Sequence, residues 1–536
     1  MSFAQYFRPS ARGKGLSLKQ FTALCWFFGI LLAVFPIFTV EYLPLIDYAS
    51  HLVRQFILIH FNDLSALQAN YQIDWSIKPN LGMDVAIPLL SKWMPLAIAS
   101  KLFVILTFLL LIGGECSVAY ALHGKVGPFP FVSILLLYSS VFFIGLLNCL
   151  AATGLMLFGL SYWILTNQWR SSIRAIGLSC LSVIIFFTHL FPFAIFIVLV
   201  GSYELDRMHS SKTIAWKSLL TILLSQIPIL FLWSLKAPGP PSSNLYFGNI
   251  GDRLYSIVSP AIFHQTSDLA IIWALFFGGL LYWKYKKSLP IAPQMQLPLL
   301  ALAIVTLIMP RGMMGGGEIH LRTPLAFAFV LLASISPNFI PDRAQKFILV
   351  FVLLIIGIRS IDIAIAWQKT DAQYQEYRNA ARVMEPGARI IAMNSFGVDD
   401  ANNQLFYHIS DLAILDRCIF APQMQKIPDQ QPVLPSKKTL VIDGGTAMPI
   451  NLETLMAGST EEGSKKILAD DYYGWAKPYY ANWPKNFDYV VYVHDRQSEP
   501  NPLSANLSKV ADGSFFEIYR INNHRVIGNL NCTLGP

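Results

Sequence analysis

The sequence has few charged residues. Only 13% of its 536 residues are Asp, Glu, Lys or Arg, against roughly 25% in an ordinary soluble domain, whereas 54% are hydrophobic. A chain of this composition cannot hide its apolar side chains in one soluble core, because single cores stop growing at about 250–300 residues. The scarcity of charge excludes a cytosolic enzyme, a secreted enzyme and a disordered chain. It predicts a membrane protein with many spans.

Motifs for metals and nucleotides are missing as well. The sequence has no HExxH, paired CxxC, GxSxG or Walker pattern, and no GxGxxG after a strand. We therefore expect no structural metal and no nucleotide cofactor, while a divalent metal shared with a substrate phosphate remains an open alternative. Of the six cysteines, only Cys418 and Cys532 lie in the polar tail. A periplasmic tail would allow a disulfide between them.

About eleven apolar segments have the length and composition of membrane spans. They lie near 21–40, 99–121, 131–146, 151–167, 175–189, 191–205, 217–236, 268–284, 296–310, 323–340 and 347–366. Two pairs leave almost no loop, at GLLNCLAA (145–152) and THLFPF (188–193). These two segments predict sharp corners.

Basic residues indicate the orientation of the spans. The chain before Asp371 has 25 basic and 13 acidic residues, whereas the tail from Asp371 has 15 and 19. One set of loops contains about twice as many basic residues as the other short loops, so it is predicted to be cytoplasmic. Its basic residues are Arg8, Arg12, Lys14, Lys19, Lys125, Arg170, Arg174, Arg207, Lys212, Lys217, Lys284, Lys286, Lys287, Arg343 and Lys346. An odd number of spans then places the N-terminus in the cytoplasm and the tail in the periplasm.

The chain is thus predicted to be a polytopic α-helical membrane protein with a C-terminal soluble α/β domain. The expected domains are 1–370, with a long first external loop at 41–95, and the tail 371–536. Four short runs in the tail are typical of strands: RIIAM, TLVIDGG, FDYVVYVHD and FFEIYRI. In the first loop, DYASHLVRQFILIHF has apolar residues at helical spacing, which predicts a helix along the membrane interface.

The first loop contains the best candidates for chemistry. Asp47, His51 and Arg54 recur at i, i+4 and i+7, on one face of a helix that begins near Asp47. An acid, an imidazole and a fixed cation could form a catalytic cluster. The alternative is that Asp47 only caps the helix while His51 and Arg54 face water.

Further candidates lie in other external segments. Asp74, Lys78, Asn80 and Asp84 follow in the first loop, although exposed loop charges are usually only solvated. His189 lies at the second sharp corner, and Glu115 lies within a predicted span. The loop RGMMGGGEIHLR contributes Arg311, Glu318, His320 and Arg322. Its arginines would suit a phosphate, or would anchor the loop at the interface.

Several of these features resemble the GT-C superfamily of polytopic glycosyltransferases. The matching pieces are EYLPLIDYASH after the first span, the long loop with PNLGMD, the tight GLLNCL corner and a C-terminal external domain. The tail segment HISDLAILDRCIFAPQMQKIPDQQP resembles bacterial membrane proteins of the same build. The acidic pair of this superfamily would correspond to Glu41 and Asp47, more widely spaced than in many members, and Asn148 stands where some members have an acid.

The resemblance implies a bacterial inner-membrane enzyme that transfers a sugar from a polyprenyl-phosphate donor. Its acceptor would be a glycan, a lipid or a protein, at the external face and with inversion. Asp47 would be the general base, assisted by His51. Substrate-binding residues would be Glu41, Arg54, Asp84, His189, Arg311, His320 and Arg322. The lipid bilayer is an expected partner and nucleic acid is not. Two alternatives remain open: a transporter of a lipid-linked saccharide, and a non-enzymatic assembly or anchoring subunit with the same fold.

Overall fold

The computed structural model describes most of the chain. The described residues are 16–212, 215–235, 245–261, 290–313, 316–339, 341–395, 404–427, 429–443, 449–470, 476–494, 506–522 and 528–533. The predicted span 268–284 therefore lies outside the described residues. So do Arg8, Arg12, Lys14, Lys284, Lys286 and Lys287, and the centre of the glycine-rich loop at 314–315.

Helices make up most of the described chain. In chain order they are α1 Leu18–Phe38, α2 Tyr48–His60, α3 Ser65–Asn70, α4 Gly82–Leu90, α5 Leu96–His123, α6 Phe129–Val132, α7 Ser140–Ile144, α8 Leu147–Leu165, α9 Ser171–Thr188, α10 Leu190–Ser211, α11 Trp216–Ser225, α12 Ile227–Ser234, α13 Ile250–Val258, α14 Gln296–Ile308, α15 Arg322–Ser334, α16 Asp342–Ala381, α17 Ile414–Arg417, α18 Leu452–Gly458, α19 Glu461–Ala469, α20 Lys477–Tyr480 and α21 Trp483–Asn486. The strands are β1 Tyr71–Ile73, β2 Ile390–Asn394, β3 Val433–Pro435, β4 Tyr489–Val493, β5 Leu507–Asp512 and β6 Phe516–Ile521.

Two compact units divide these elements. The helical unit comprises Met1–Thr39 and Val104–Ala366, and the loop–tail unit comprises Val40–Phe103 and Trp367–Pro536. The first external loop, which the sequence assigns to the membrane domain, thus groups with the tail. Two of the three division points fall inside long helices, α5 and α16, so that each of these helices contributes to both units.

Apart from 131–146, the predicted spans that the structure describes correspond to one helix or to two consecutive helices. Among the described residues, six helices are long and apolar enough to cross a membrane: Leu18–Phe38, Leu96–His123, Leu147–Leu165, Ser171–Thr188, Trp216–Ser234 and Asp342–Ala381. Shorter apolar helical segments lie at Phe129–Ile144, Pro293–Ile308 and Ile319–Ser334. The first helix begins with a capping box, in which Gln20 N donates to Ser17 Oγ and Ser17 N donates to Gln20 Oε1.

The predicted span 131–146 is not one continuous helix. It consists of α6, a 3-10 turn at Ser133–Leu136 and α7. Arg359, which is 2% exposed, donates to the carbonyl of Leu135 and, at 2.6 Å, to that of Tyr138. The Ser133 hydroxyl donates to the buried Glu115 carboxylate. Arg359 thus binds two backbone carbonyls that would otherwise accept hydrogen bonds within a continuous helix.

The two predicted corners are confirmed. Gly145 (φ 99°) adopts the left-handed conformation that a glycine tolerates without strain, and α8 begins two residues later. At the second corner the extended His189 is the single residue between α9 and α10.

Close helix packing depends on another glycine: a Cβ at Gly154 would lie 2.5 Å from the Leu110 backbone. The absence of side-chain atoms there brings α5 and α8 together.

The loop–tail unit is built on a four-stranded sheet in the order β2-β4-β6-β5. Strand β2 pairs in parallel with β4, and the remaining pairs are antiparallel. Side chains of β2 and β4 are buried throughout, which explains their continuous apolar sequence. A second, two-stranded sheet pairs β1 of the first loop with β3 of the tail. The disulfide left open by the sequence is present between Cys418 and Cys532.

The strand prediction for the tail is right for three runs and wrong for one. RIIAM, FDYVVYVHD and FFEIYRI contain β2, β4 and β6, but Leu440–Ile442 of TLVIDGG forms a 3-10 turn. Leu440 N donates to the carbonyl of Ser436, and the Thr439 hydroxyl donates to the carbonyl of Asn70 at 2.7 Å. One local hydrogen bond and one bond to the first loop thus hold the chain in a turn despite its β-branched residues.

Candidate functional site

Helix α2 contains the predicted catalytic residues and is almost entirely buried. The sequence predicts this helix correctly, and its position along the membrane interface stays a prediction. All residues from Tyr48 to Ile57 are buried. Asp47 occupies the N-cap position without a capping side-chain hydrogen bond. The alternative in which Asp47 caps the helix and the other two residues face water is therefore wrong.

His51, Arg54 and Asp84 form one hydrogen-bonded group. Arg54 Nε donates to Asp84 Oδ1 at 2.7 Å, and Arg54 Nη1 lies 3.1 Å from His51 Nδ1. Gln55 Nε2 donates to the same Asp84 oxygen at 2.6 Å. Arg54 and Asp84 are each 1% exposed. Asp84 thus compensates the buried charge of Arg54, and Arg54 orients the imidazole of His51.

Asp47 faces a tail histidine that no sequence motif identifies. His408 Nε2 lies 3.7 Å from Asp47 Oδ1, and His408 Nδ1 lies 3.4 Å from Asp411 Oδ2. All three side chains are buried or nearly so, with exposures of 12%, 7% and 0% for Asp47, His408 and Asp411. One imidazole therefore lies between two carboxylates.

The electrostatics of this cluster favour a charged imidazole. Burial disfavours the imidazolium, but the neighbouring carboxylates of Asp411 and Asp47 outweigh burial, so the pKa of His408 is raised above its ordinary value. Burial also raises the pKa of Asp411, although His408 and Lys426 oppose that shift. The cluster can hold a proton in a site that is largely closed to water.

The sequence contains one signal for these two residues. His408 and Asp411 are the titratable residues of HISDLAIL, a stretch in which Ile409, Leu412 and Ile414 are fully or almost fully buried. A polar pair at a spacing of three within an apolar run indicates a buried pair that needs a partner. Identifying the partner as Asp47 requires the tertiary structure, because more than 350 residues separate the two.

Glu41, the other acid after the first span, has a different environment. Its carboxylate accepts a hydrogen bond from the Tyr42 hydroxyl at 2.5 Å and lies 3.8 Å from Arg378 Nη1. Asp371 accepts hydrogen bonds from the backbone amides of Glu41 and Tyr42 at 2.9 and 2.7 Å. The side chain of Glu41 is 51% exposed. These contacts fix the start of the first loop.

The remaining loop charges are largely paired. Asp74 Oδ2 forms a 2.7 Å salt bridge with Lys78 Nζ, and Lys78 also donates to the carbonyl of Gln431 at 3.1 Å. The buried Lys78 thus joins the first loop to the tail. Asn80 has a left-handed backbone, with φ 72°. This conformation suits the turn before α4.

His189 and Arg322 are brought together in the helical unit. Arg322 Nη1 lies 3.3 Å from His189 Nε2, and Arg322 Nη2 donates to the carbonyl of Gly317 at 2.9 Å. The amide of Phe191 donates to His189 Nδ1 at 3.1 Å. A neutral imidazole can accept only one of these two donors, because one of its nitrogens carries the ring proton. Arg322 is therefore held between the second sharp corner and the glycine-rich loop.

Arg311 and His320 lie in a separate ion-paired group of the same unit. Arg311 contacts the carboxylates of Glu318 and Asp252, both at 3.0 Å. His320 Nδ1 lies 3.8 Å from Glu318 Oε2, and His320 is 2% exposed. Two acids already compensate the charge of Arg311. The two arginines of this loop thus have different partners, Asp252 and Glu318 for Arg311 and His189 and Gly317 for Arg322.

The helical unit also contains an apolar cavity of about 510 Å³. Side chains of α13, α14 and α15 line much of it, among them Ile257, Val258, Ala303, Phe327 and Leu331.

Within the ranges given above, no group of three or more His, Cys, Asp or Glu residues is placed to hold a metal ion.

A solved structure shares this fold. The crystal structure of ArnT from Cupriavidus metallidurans bound to undecaprenyl phosphate matches with a TM-score of 0.51 and 11% sequence identity, over 94% of this chain and 98% of that chain. No protein-family model matches the sequence, and no curated protein sequence does so. The likeness confirms the predicted GT-C-type fold of a multi-pass membrane protein with a small C-terminal sheet.

Proposed function

We propose that this protein is a glycosyltransferase that uses a polyprenyl-phosphate-linked sugar as its donor. The observation that carries the proposal is the position of Asp47, which is 12% exposed beside charged and titratable groups of the first loop and the tail. A carboxylate held in this way is suited to accept a proton. The likeness to a structure bound to undecaprenyl phosphate supports the choice of a lipid carrier.

In the proposed reaction Asp47 removes the proton from the acceptor hydroxyl. The hydroxyl oxygen forms a bond with the anomeric carbon as the bond from that carbon to the phosphate oxygen breaks. The electron pair of the broken bond remains on the phosphate, which leaves with the lipid. A single displacement of this kind inverts the anomeric centre.

Within this proposal, the neighbours of Asp47 have supporting roles. His51 lies one helical turn from Asp47, and its Nε2 proton could be donated to a sugar or acceptor oxygen. Arg54 and Asp84 are too deeply buried to be assigned direct contact with substrate, so we assign them the orientation of His51. Glu41 is more exposed and is assigned to acceptor binding.

A separate candidate group for binding a phosphate lies within the helical unit. His189 and Arg322 provide an imidazole and a guanidinium, and the fork of N–H donors on a guanidinium matches the oxygens of a phosphate. Arg311 and His320 are assigned to the conformation of the glycine-rich loop, because the contacts of Arg311 with Asp252 and Glu318 already use its donors. The apolar cavity is suited to a prenyl chain or another lipid chain.

We further propose that the enzyme lies in a bacterial inner membrane with the loop–tail unit in the periplasm. The excess of basic residues in one set of loops supports this orientation. The disulfide supports it as well, because such bonds persist in oxidising compartments.

The transfer reaction can be tested before the acceptor is identified. Purified protein in nanodiscs is incubated with synthetic undecaprenyl-phosphate-linked hexoses and a bacterial membrane extract, and released undecaprenyl phosphate is measured by chromatography. We expect release by the wild type and by Asp63→Asn, whose carboxylate is exposed at the far end of α2. Asp47→Asn should bind undecaprenyl phosphate normally and release none from the donor.

Two results would contradict this proposal. Turnover of Asp47→Asn close to that of the wild type would remove Asp47 as the base. Binding of undecaprenyl phosphate without release from any donor would favour the assembly-subunit alternative, and movement of an intact donor between leaflets would favour the transporter.

A further inference from the structure

We propose that His408 and Asp411 of the tail are positioning residues that keep Asp47 oriented and ionised for each round of transfer. The inference rests on the proposed function, because it takes Asp47 as the base. It adds that the tail supplies an imidazolium–carboxylate couple to a base in the first loop.

The distances place His408 between the two acids. Its Nε2 lies 3.7 Å from Asp47 and its Nδ1 lies 3.4 Å from Asp411. An imidazolium in this position attracts both carboxylates, each through a different nitrogen. Because the ring is 7% exposed, water screens these interactions little.

The second carboxylate, that of Asp411, balances the charge of His408 while Asp47 acts as the base. Before the reaction, the charges of Asp47, His408 and Asp411 are −1, +1 and −1. When Asp47 accepts the acceptor proton, it becomes neutral and the remaining pair balances. Without Asp411, the imidazolium would be left buried beside a neutral acid, which is costly. Asp411 therefore allows His408 to remain charged throughout the step.

The second carboxylate, that of Asp411, is buried among other polar and titratable groups. The carboxylate of Asp411 is 0% exposed, and this burial raises its pKa, whereas His408, Lys426 and the Ser50 hydroxyl favour its ionised form. Ser50 also accepts a hydrogen bond from the amide of Gln425 at 2.7 Å, which ties α2 to the tail. Lys426 also forms a 3.1 Å salt bridge with Asp443, and the buried hydroxyls of Tyr71, Tyr377 and Tyr479 lie in the field of Asp411. On α2 itself, Arg54 is paired with Asp84.

The first test measures the couple without any transfer assay. Protein with ¹⁵N-labelled histidine is titrated by NMR in nanodiscs, and the His408 signal is assigned by its loss in His408→Gln. We expect His408 to titrate above His60, whose pKa burial lowers. The midpoint of His408 should fall by about one pH unit or more in Asp47→Asn and in Asp411→Asn. Midpoints unchanged in both variants would overturn the inference.

The second test measures the role in transfer. In His408→Gln, kcat for donor consumption should fall by about ten- to a hundredfold at neutral pH, with the KM for the donor nearly unchanged. The acidic limb of the pH profile should move to higher pH, because Asp47 has lost its cation. In Asp411→Asn the alkaline limb should move to lower pH, because His408 loses its proton more easily. His60→Gln, at the far end of α2, is the matched control.

These measurements separate the possible outcomes. A folded His408→Gln variant with the kcat and pH profile of the wild type would overturn the positioning role. If His408→Gln fails to fold, Asp411→Asn keeps the imidazole and decides the question through the alkaline limb. If the wild type releases no undecaprenyl phosphate from any donor, the proposed function fails, whereas the NMR titration still decides whether the couple exists.

Discussion

Arg54 fixes the protonation state of His51. Its Nη1 lies 3.1 Å from His51 Nδ1, and a guanidinium has only donors. Nδ1 of His51 must therefore be an acceptor, which places the single ring proton on Nε2. In this arrangement Nε2 is the donor nitrogen of the His51 ring.

The buried Arg54–Asp84 pair should be necessary for folding. Asp84→Asn leaves Arg54 buried without its carboxylate, and we expect a loss of about 3–5 kcal/mol in unfolding free energy. Denaturant unfolding in detergent measures this loss. The double variant Arg54→Met with Asp84→Leu should recover much of it, because an apolar pair removes both charges together. Asp63→Asn serves as the exposed control. Equal stability of Asp84→Asn and the wild type would show that the pair contributes little.

The two arginines of the glycine-rich loop should respond differently to lysine. Arg322→Lys should weaken binding of undecaprenyl phosphate by about ten- to a hundredfold, because lysine has no planar fork. Arg311→Lys should mainly lower the melting temperature, since it disturbs the contacts with Asp252 and Glu318. Native mass spectrometry and thermal unfolding separate the two effects, with the exposed Arg343→Lys as control. Unchanged affinity in Arg322→Lys would move the phosphate site elsewhere.

The disulfide should stabilise the loop–tail unit. Cys532→Ser removes a cross-link between residues 114 positions apart, and loss of a native disulfide costs about 2–5 kcal/mol. Reductant should lower the melting temperature of the wild type and leave that of Cys532→Ser unchanged. The exposed Cys180 offers a matched control, because Cys180→Ser should behave as the wild type in both conditions. A wild type that is insensitive to reductant would contradict this expectation.

The orientation can be measured with topology reporters. A periplasm-active reporter fused after Pro536 should be active, and the same reporter inserted at Lys125 should be silent. A cytoplasm-active reporter should give the reverse pattern. If the fusion after Pro536 were active only in the cytoplasm, the number of spans derived from the sequence would be wrong by one.

Hydropathy predicts the helices of this fold well because each span carries its own signal. The sharp corners were predictable for the same reason, since Gly145 and His189 leave no room for a loop between apolar segments. The break within 131–146 was not, because Arg359 reaches it from a helix more than 200 residues later. The turn at Leu440–Ile442 likewise depends on a carbonyl of the first loop.

The candidate site was only half predictable. Asp47, His51 and Arg54 share a helix, so their spacing alone places them on one face. Their partners come from elsewhere: Asp84 from α4, and His408 with Asp411 from the tail. The sequence contains no local pattern that relates these residues to α2. Burial also escaped prediction, because α2 has the amphipathic pattern of a surface helix and is covered by tail residues that follow at long separation.

Because the first loop pairs with the tail, some of its hydrogen bonds can form only after the tail has been synthesised. The carbonyl of Asn70 receives its hydrogen bond from Thr439, 369 residues later, and the amide of Asn531 donates to Ser65, 466 residues earlier. At about 5–20 residues per second, the ribosome needs roughly 20–70 s to make the first of these partners. During that interval β1 lacks its neighbouring strand. The loop with the candidate base therefore acquires this hydrogen bond to Ser65 only after Asn531 has been synthesised.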